Sequence, residues 1–161
     1  MSNVDKNQAV IDYLCQCTKI QNSPLYFNLI NAEDDNIQII TTAQDTSYSK
    51  PYIDGSVPKK YIFNLILFKS ITDLAVVKLT GYSNENVADL ADAQTLIDWI
   101  HEQESLHNYP NFGTECEMES IETSTDEPRF DGISSTNPPL AMYTISITIN
   151  YTDISKVIYN K

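Results

Sequence analysis

Tyr143-Thr144-Ile145-Ser146-Ile147-Thr148-Ile149-Asn150-Tyr151 alternates an aromatic or β-branched apolar residue with a small polar one at every step. Successive side chains of a strand point to opposite faces, so this period of two predicts a strand with one buried and one wet face. Lys59 to Ser70 is its counterpart. Tyr61, Phe63, Leu65 and Leu67 line one face while Ile62, Ile66 and Phe68 line the other, which predicts a central strand covered on both sides. Two more strands are expected. Ile37-Gln38-Ile39-Ile40-Thr41-Thr42 is rich in β-branched residues. Thr114 to Glu122 sets Cys116 and Met118 on one side and Glu115, Glu117 and Glu119 on the other.

Two helical periods surround these strands. Val10, Ile11, Leu14, Cys17 and Ile20 recur at helical spacing, with Ser2 or Asn3 as the expected cap and Asp5 in the first turn. Asn22-Ser23-Pro24 ends that helix, and Leu25 to Ile30 either extends it or forms an extended link. A second helix is predicted from about Val87 to Leu106, where Leu90, Ala93, Leu96, Ile97 and Ile100 form one apolar stripe. The segments 31–36, 43–58, 71–83 and 123–139 read as turns, loops or connections, and 152–161 as a tail. Loops of some sixteen residues in a compact domain usually carry a task. The order predicts a single α+β domain over 1–161: a mainly antiparallel four-stranded sheet with two helices on one face.

Composition narrows the function. The chain has 161 residues, 22 Asp and Glu against 10 Lys and Arg, and a formal net charge of -12. Proteins that grip nucleic acid cluster basic residues against phosphates, and Lys59-Lys60 is the longest basic run here. Tight nucleic-acid binding and attraction to an anionic membrane are therefore not expected. No apolar stretch approaches the ~20 residues that span a bilayer, and Met1-Ser2-Asn3-Val4-Asp5 does not lead into a signal sequence, so a cytoplasmic origin is expected. Ten tyrosines fit either contact surfaces or a strand-rich monomer. Three cysteines, an odd set, fit reduced thiols better than a disulfide framework.

The sequence carries none of the common catalytic patterns. Four scattered glycines do not make a phosphate-cradling loop. Cys15 and Cys17 stand two apart, a spacing that turns helical side chains away from each other, so they are expected as core thiols and no metal is expected. His101 and His107 lack the spacing of a zinc-protease motif and are expected on the surface near a helix end. No Gly-x-Ser-x-Gly elbow is present. No catalytic residue and no cofactor is assigned. The row Glu115, Glu117, Glu119 has two readings: a solvated strand face that discourages aggregation, or a negative wall past which a polyanion slides.

Gln94-Thr95-Leu96-Ile97-Asp98-Trp99-Ile100, then Asn108-Tyr109-Pro110, then Arg129-Phe130-Asp131-Gly132, and finally Asn137-Pro138-Pro139-Leu140-Ala141-Met142-Tyr143 with Ile145 to Tyr151, follow one another along the chain. This succession resembles the tail terminator (tail completion, or minor capsid) proteins of tailed phages and prophages. The resemblance runs through the element order of nearly the whole chain and is most specific in its last fifty or so residues. It implies a non-enzymatic virion protein: a hexameric ring at the head-proximal end of the tail that stops tube polymerisation. Its implied partners are the tail tube protein and the head-tail connector, with DNA passing through the ring without tight binding. On that reading Glu115, Glu117 and Glu119 are candidate channel-lining residues. Tyr48, Tyr52, Arg129 and Phe130, on the loops at 43–58 and 123–139, are candidate assembly contacts. A head-completion protein of the same virion is the nearest alternative, and a small ligand-binding domain a more distant one.

Overall fold

The structure is a computed structural model that describes residues 5–28, 36–41, 50–70, 84–134 and 139–157. Two long strands form its spine, β3 (Val57–Ser70) and β6 (Leu140–Asp153), antiparallel over their full length with Phe63 opposite Ile147 and Leu65 opposite Ile145. Their alternation has the expected consequence. Tyr61, Phe63, Leu65 and Leu67 meet Tyr143, Ile145, Ile147 and Ile149 on one face, and all eight are buried. Strand β2 (Ile37–Thr41) pairs antiparallel with the other side of β3, and β1 (Leu25–Phe27) adds a parallel strand beyond it. On the far flank of β6, β4 (Cys116–Thr123) lies along residues 147–153 and β5 (Arg129–Ile133) along residues 141–144.

Helices α1 (Lys6–Leu14), α2 (Thr18–Gln21) and α3 (Asn84–Ser105) cover the apolar face. Val10, Tyr13, Leu14 and Ile20 from the first two, Cys17 from between them, and Ala93, Leu96, Ile97 and Ile100 from the third join Ile37, Ile39, Ile121 and the β3–β6 residues in one core. Burying a large aliphatic side chain contributes roughly 1.5–3 kcal/mol, so this face holds the layers together. The fold is α+β with a mainly antiparallel sheet, as expected, but the sheet has six strands and not four.

The two additional strands account for the difference. Leu25–Phe27 is too short to show a period, and its pairing is parallel. Arg129–Ile133 lies inside the segment expected to be loop; its Asp131-Gly132 turn signal is a β-bulge, with register slipping between Phe130 and Gly132 and Gly132 at φ 114°. The first helix also departs from expectation. Asp5 is its N-cap, accepting hydrogen bonds from the backbone N–H of Asn7 (2.9 Å) and Gln8 (3.3 Å); Ser2 and Asn3 lie outside the described residues. The helix breaks after Leu14, where Gln16 N–H and Cys17 N–H tighten onto Tyr13 and Leu14. Apolar spacing continues through this break, so the periodicity concealed it.

Charged residues tie the helices to the sheet. Lys69, buried on β3, and Lys19 of α2 each reach Asp92 of α3 at 3.1 Å. Partial burial opposes ionisation of Asp92, but hydrogen bonds from both lysines outweigh it and hold the carboxyl below its usual range. No helix among the described residues is long and apolar enough to cross a membrane. Several expected features lie wholly or partly outside the described residues: 31–35 of the turn at 31–36, 43–49 of the loop at 43–58, the connection at 71–83, the side chain of Leu90, 135–138 of the loop at 123–139, and 158–161 of the tail at 152–161.

Candidate functional site

The flank of β6 carries most of the residues singled out by sequence, and its two halves differ in how their outer backbone is satisfied. Along β4, side chains from α3 and the turn after it meet the strand edge. The Glu104 carboxylate accepts the Ile121 N–H at 2.8 Å, and the Tyr109 hydroxyl donates to the Glu119 carbonyl at 3.3 Å. His101 Nε2 lies 3.0 Å from the Thr123 hydroxyl. Gln94 donates to the Asp126 carbonyl at 2.9 Å in the loop that follows. Burial together with the Glu104 carboxylate pushes the Tyr109 phenol up, so its proton stays in place.

The end of α3 fixes this arrangement. His107 adopts φ 52°, with His107 N–H bonded to the Glu104 carbonyl (3.1 Å) and Asn108 N–H to the Gln103 carbonyl (2.9 Å). That is a Schellman C-cap with histidine where glycine is usual. The Asn108 amide then bonds Gln103 (2.6 Å) and Gln16 (3.0 Å), joining the cap to the α1–α2 break.

Along β5 no such caps are found. Apart from its ladder with β6, the strand's backbone has no hydrogen-bond partner among the described residues. Phe130 is 55% exposed and Ile133 44% exposed. Both lie on the helix-side face, since they pair with Tyr143 and Ala141, and the Phe130 ring sits 5.8 Å from that of Tyr143. Asp131 turns to the opposite face, accepts the Thr144 hydroxyl at 2.9 Å, and stands 3.6 Å from the exposed Arg129 guanidinium.

The acidic row is partly regular. Glu117 pairs with Thr152, and Glu119, in a second bulge, accepts a hydrogen bond from the same Thr152 hydroxyl. Both are exposed on the face opposite the helices, which Glu122 also joins. Glu115 lies in the turn before β4, where its carbonyl accepts the Ile154 N–H at 2.9 Å. At the remaining candidate contacts, Tyr52 is exposed beside a fully exposed Ile53 in a tight turn closed by Asp54, Gly55 and Ser56. Tyr48 lies outside the described residues.

Cys17 is buried, as expected, whereas Cys15 is exposed at the helix break and is not a core thiol. His101 and His107 are both exposed. Among the described residues no group of three or more His, Cys, Asp or Glu side chains could hold a metal ion. A cleft of about 390 Å³ between α1 and residues 109–111 is lined by Asp5, Gln8, Asp12, Tyr13 and Asn111. The Tyr13 hydroxyl there is buried without a hydrogen-bond partner, and burial raises it well above the ordinary phenol range.

Neither a protein-family model nor a curated protein matches the chain.

Proposed function

We propose that the chain is a structural subunit that closes into a ring, most simply a hexamer, at the head-proximal end of a phage tail tube. There it halts tube growth and offers a docking surface to the head connector. The observation that carries the reading is the edge of β5, which no described residue caps. An uncapped strand edge flanked by exposed apolar side chains is an aggregation hazard in a free monomer, and folded proteins retain one where a partner covers it. Arg129 and Phe130, singled out by the sequence resemblance, stand on that edge. The acidic body suits a ring through which DNA passes without adhering, because negative walls repel phosphate and release no counterions to hold it. Glu117 and Glu119 are the leading channel-lining residues, with Glu115 at the rim.

Negative-stain microscopy of wild-type and deletion virions tests this reading. Loss of the chain is expected to give tails of uncontrolled length and unjoined heads, and mass measurement of wild-type tails to give several copies per tail. Deletion tails of normal length with the chain recovered on heads would replace the terminator by a head-completion protein. Normal virions without the chain would remove both readings.

A further inference from the structure

The sheet has two outer flanks, and β5 is only one of its open ends. At the opposite end β1 also lacks any partner on its outer side among the described residues. We infer that β5 of one copy pairs with β1 of the next, so that a single sheet runs through the assembled ring. The inference rests on the ring reading for closure and not for the pairing itself.

Three features of the two edges fit each other. The first is the side on which their apolar residues stand. Leu25 and Phe27 pair with Ile37 and Ile39, and Phe130 and Ile133 with Tyr143 and Ala141, so all four lie on the helix-side face. Neighbouring strands in a continued sheet share faces, so the two apolar pairs would meet. The second is spacing. Leu25 and Phe27 are two positions apart, and the bulge at Asp131 places Phe130 and Ile133 opposite residues that are also two apart, Tyr143 and Ala141. The third is direction. β1 runs parallel to β2, β2 antiparallel to β3, β3 to β6, and β6 to β5. β1 and β5 therefore point in opposite senses, and copies related by rotation about the ring axis pair them antiparallel. Phe27 then faces Phe130, and Leu25 faces Ile133.

Such an interface is head-to-tail, the kind that generates rings and not two-fold dimers. Its dimensions favour one face for the inside. Five strand positions at about 4.8 Å each span roughly 24 Å per copy, so six copies give a circumference of about 140 Å and a diameter of about 46 Å at the backbone. A helix layer about 10 Å thick on the inner wall would narrow that opening to about 26 Å. The face opposite the helices, with Glu117, Glu119 and Glu122, is the one that leaves the wider channel.

The test uses the full chain with its native cysteines replaced (Cys15→Ser, Cys17→Ala, Cys116→Ser). It carries either Phe27→Cys with Phe130→Cys or Leu25→Cys with Ile133→Cys. Oxidation at high chain concentration is expected to give a ladder of covalent multimers from both chains. The crossed combinations, Phe27→Cys with Ile133→Cys and Leu25→Cys with Phe130→Cys, are expected to give none. No ladder from either designed pair, a ladder from the crossed pairs alone, or a lone dimer from Phe130→Cys by itself overturns the inference. A second measurement keeps the native cysteines: Phe130→Lys with Ile133→Lys is expected to weaken self-association at least tenfold in sedimentation velocity, with the circular dichroism spectrum unchanged. Undiminished association overturns it as well. Rings seen without the cross-links leave the ring reading and remove this pairing, whereas a ladder that never closes upholds the pairing and removes the ring.

Discussion

One flank of β6 faces β4 along residues 147–153 and β5 along residues 141–144, and the outer sides of these two strands are treated differently. β4 is met by Glu104, Tyr109 and His101, each delivered by α3 or by the turn that ends it. β5 is met by none of them and presents Phe130 and Ile133 to solvent. A strand edge is a template for any other strand, and it can be neutralised by charge, bulges or covering elements. Both strands carry a bulge, so the bulge alone does not account for the difference. The helix side chains do. Among the described residues, one half of the edge is sealed and the other half is left apolar and exposed.

The sharpest way to break the comparison is to unseal β4. Replacing Glu104 by Ala removes a charge-assisted acceptor and leaves the Ile121 N–H without its partner, a loss of roughly 1–3 kcal/mol. Glu104→Gln keeps an acceptor oxygen and is expected to recover much of it. Urea unfolding measures both. Alanine should also make β4 sticky, so concentration-dependent association ought to rise for Glu104→Ala and not for Glu104→Gln. Equal stability of Glu104→Ala and wild type would show that the cap is incidental.

A smaller effect is expected at the bulge of β5. Gly132 sits at φ 114°, and a Cβ there would meet no other atom within 4 Å. Gly132→Ala therefore isolates the backbone cost of a left-handed conformation, about 1–2 kcal/mol for a non-glycine residue. The variant has a second use. A shifted bulge would spoil the two-position spacing of Phe130 and Ile133, so cross-linking of Phe27→Cys to Phe130→Cys should fall with it. Loss of stability with undiminished cross-linking would separate the bulge from the pairing.

The end of α3 supports the sealed half and allows a prediction of opposite sign. His107 holds a left-handed conformation at the helix C-cap, where glycine avoids the clash of a Cβ with the following carbonyl. His107→Gly is expected to raise stability by about 0.5–1 kcal/mol in thermal unfolding, even though the 3.2 Å contact of its ring with the Tyr109 hydroxyl is lost. A fall in stability would mean that the ring contact outweighs the backbone relief.

The legibility of this flank follows the same division. β6 could be read from its sequence because one buried face forces a strict period of two, and α3 because Ala93, Leu96, Ile97 and Ile100 all turn to the core. β5 could not, since Arg129-Phe130-Asp131-Gly132-Ile133 buries little, and the extra residue of its bulge erases the period. The alternation at Cys116 and Met118 is present, but the bulge at Glu119 shifts it, so Ile121 and not Ser120 is the next buried residue. Arg129 and Phe130 are candidates through the resemblance and not through pattern. The caps at Glu104 and Tyr109 carry no local signal at all. Each depends on a residue of α3 or of the turn after it arriving beside a strand some seventeen or ten positions later in the chain, which is a property of the packed layers.

The two halves should finally differ in their response to acid. Asp153 lies opposite Cys116 at the start of β4, and its carboxylate receives the Lys59 ammonium at 2.9 Å together with the Ser155 N–H and hydroxyl at 2.9 and 2.6 Å. Partial burial works against the charged form, but those hydrogen bonds and the Lys59 charge overcome it and bring the group down to about 2. A carboxyl whose folded value lies below its unfolded value near 3.8 contributes stability above the latter and loses it as the pH falls through the former. Asp153→Asn should therefore be less stable than wild type at neutral pH, by about 0.5–1 kcal/mol as for a partly exposed pair. The gap should close between roughly pH 4 and pH 2. The corresponding pair on β5, Arg129 with Asp131 at 3.6 Å, is well exposed on both sides, so Arg129→Ala should leave the thermal midpoint unchanged across the same range. A pH-dependent loss from Arg129→Ala equal to that from Asp153→Asn would show that both halves of the flank are clamped alike. The open edge would then need another explanation than the absence of restraining contacts.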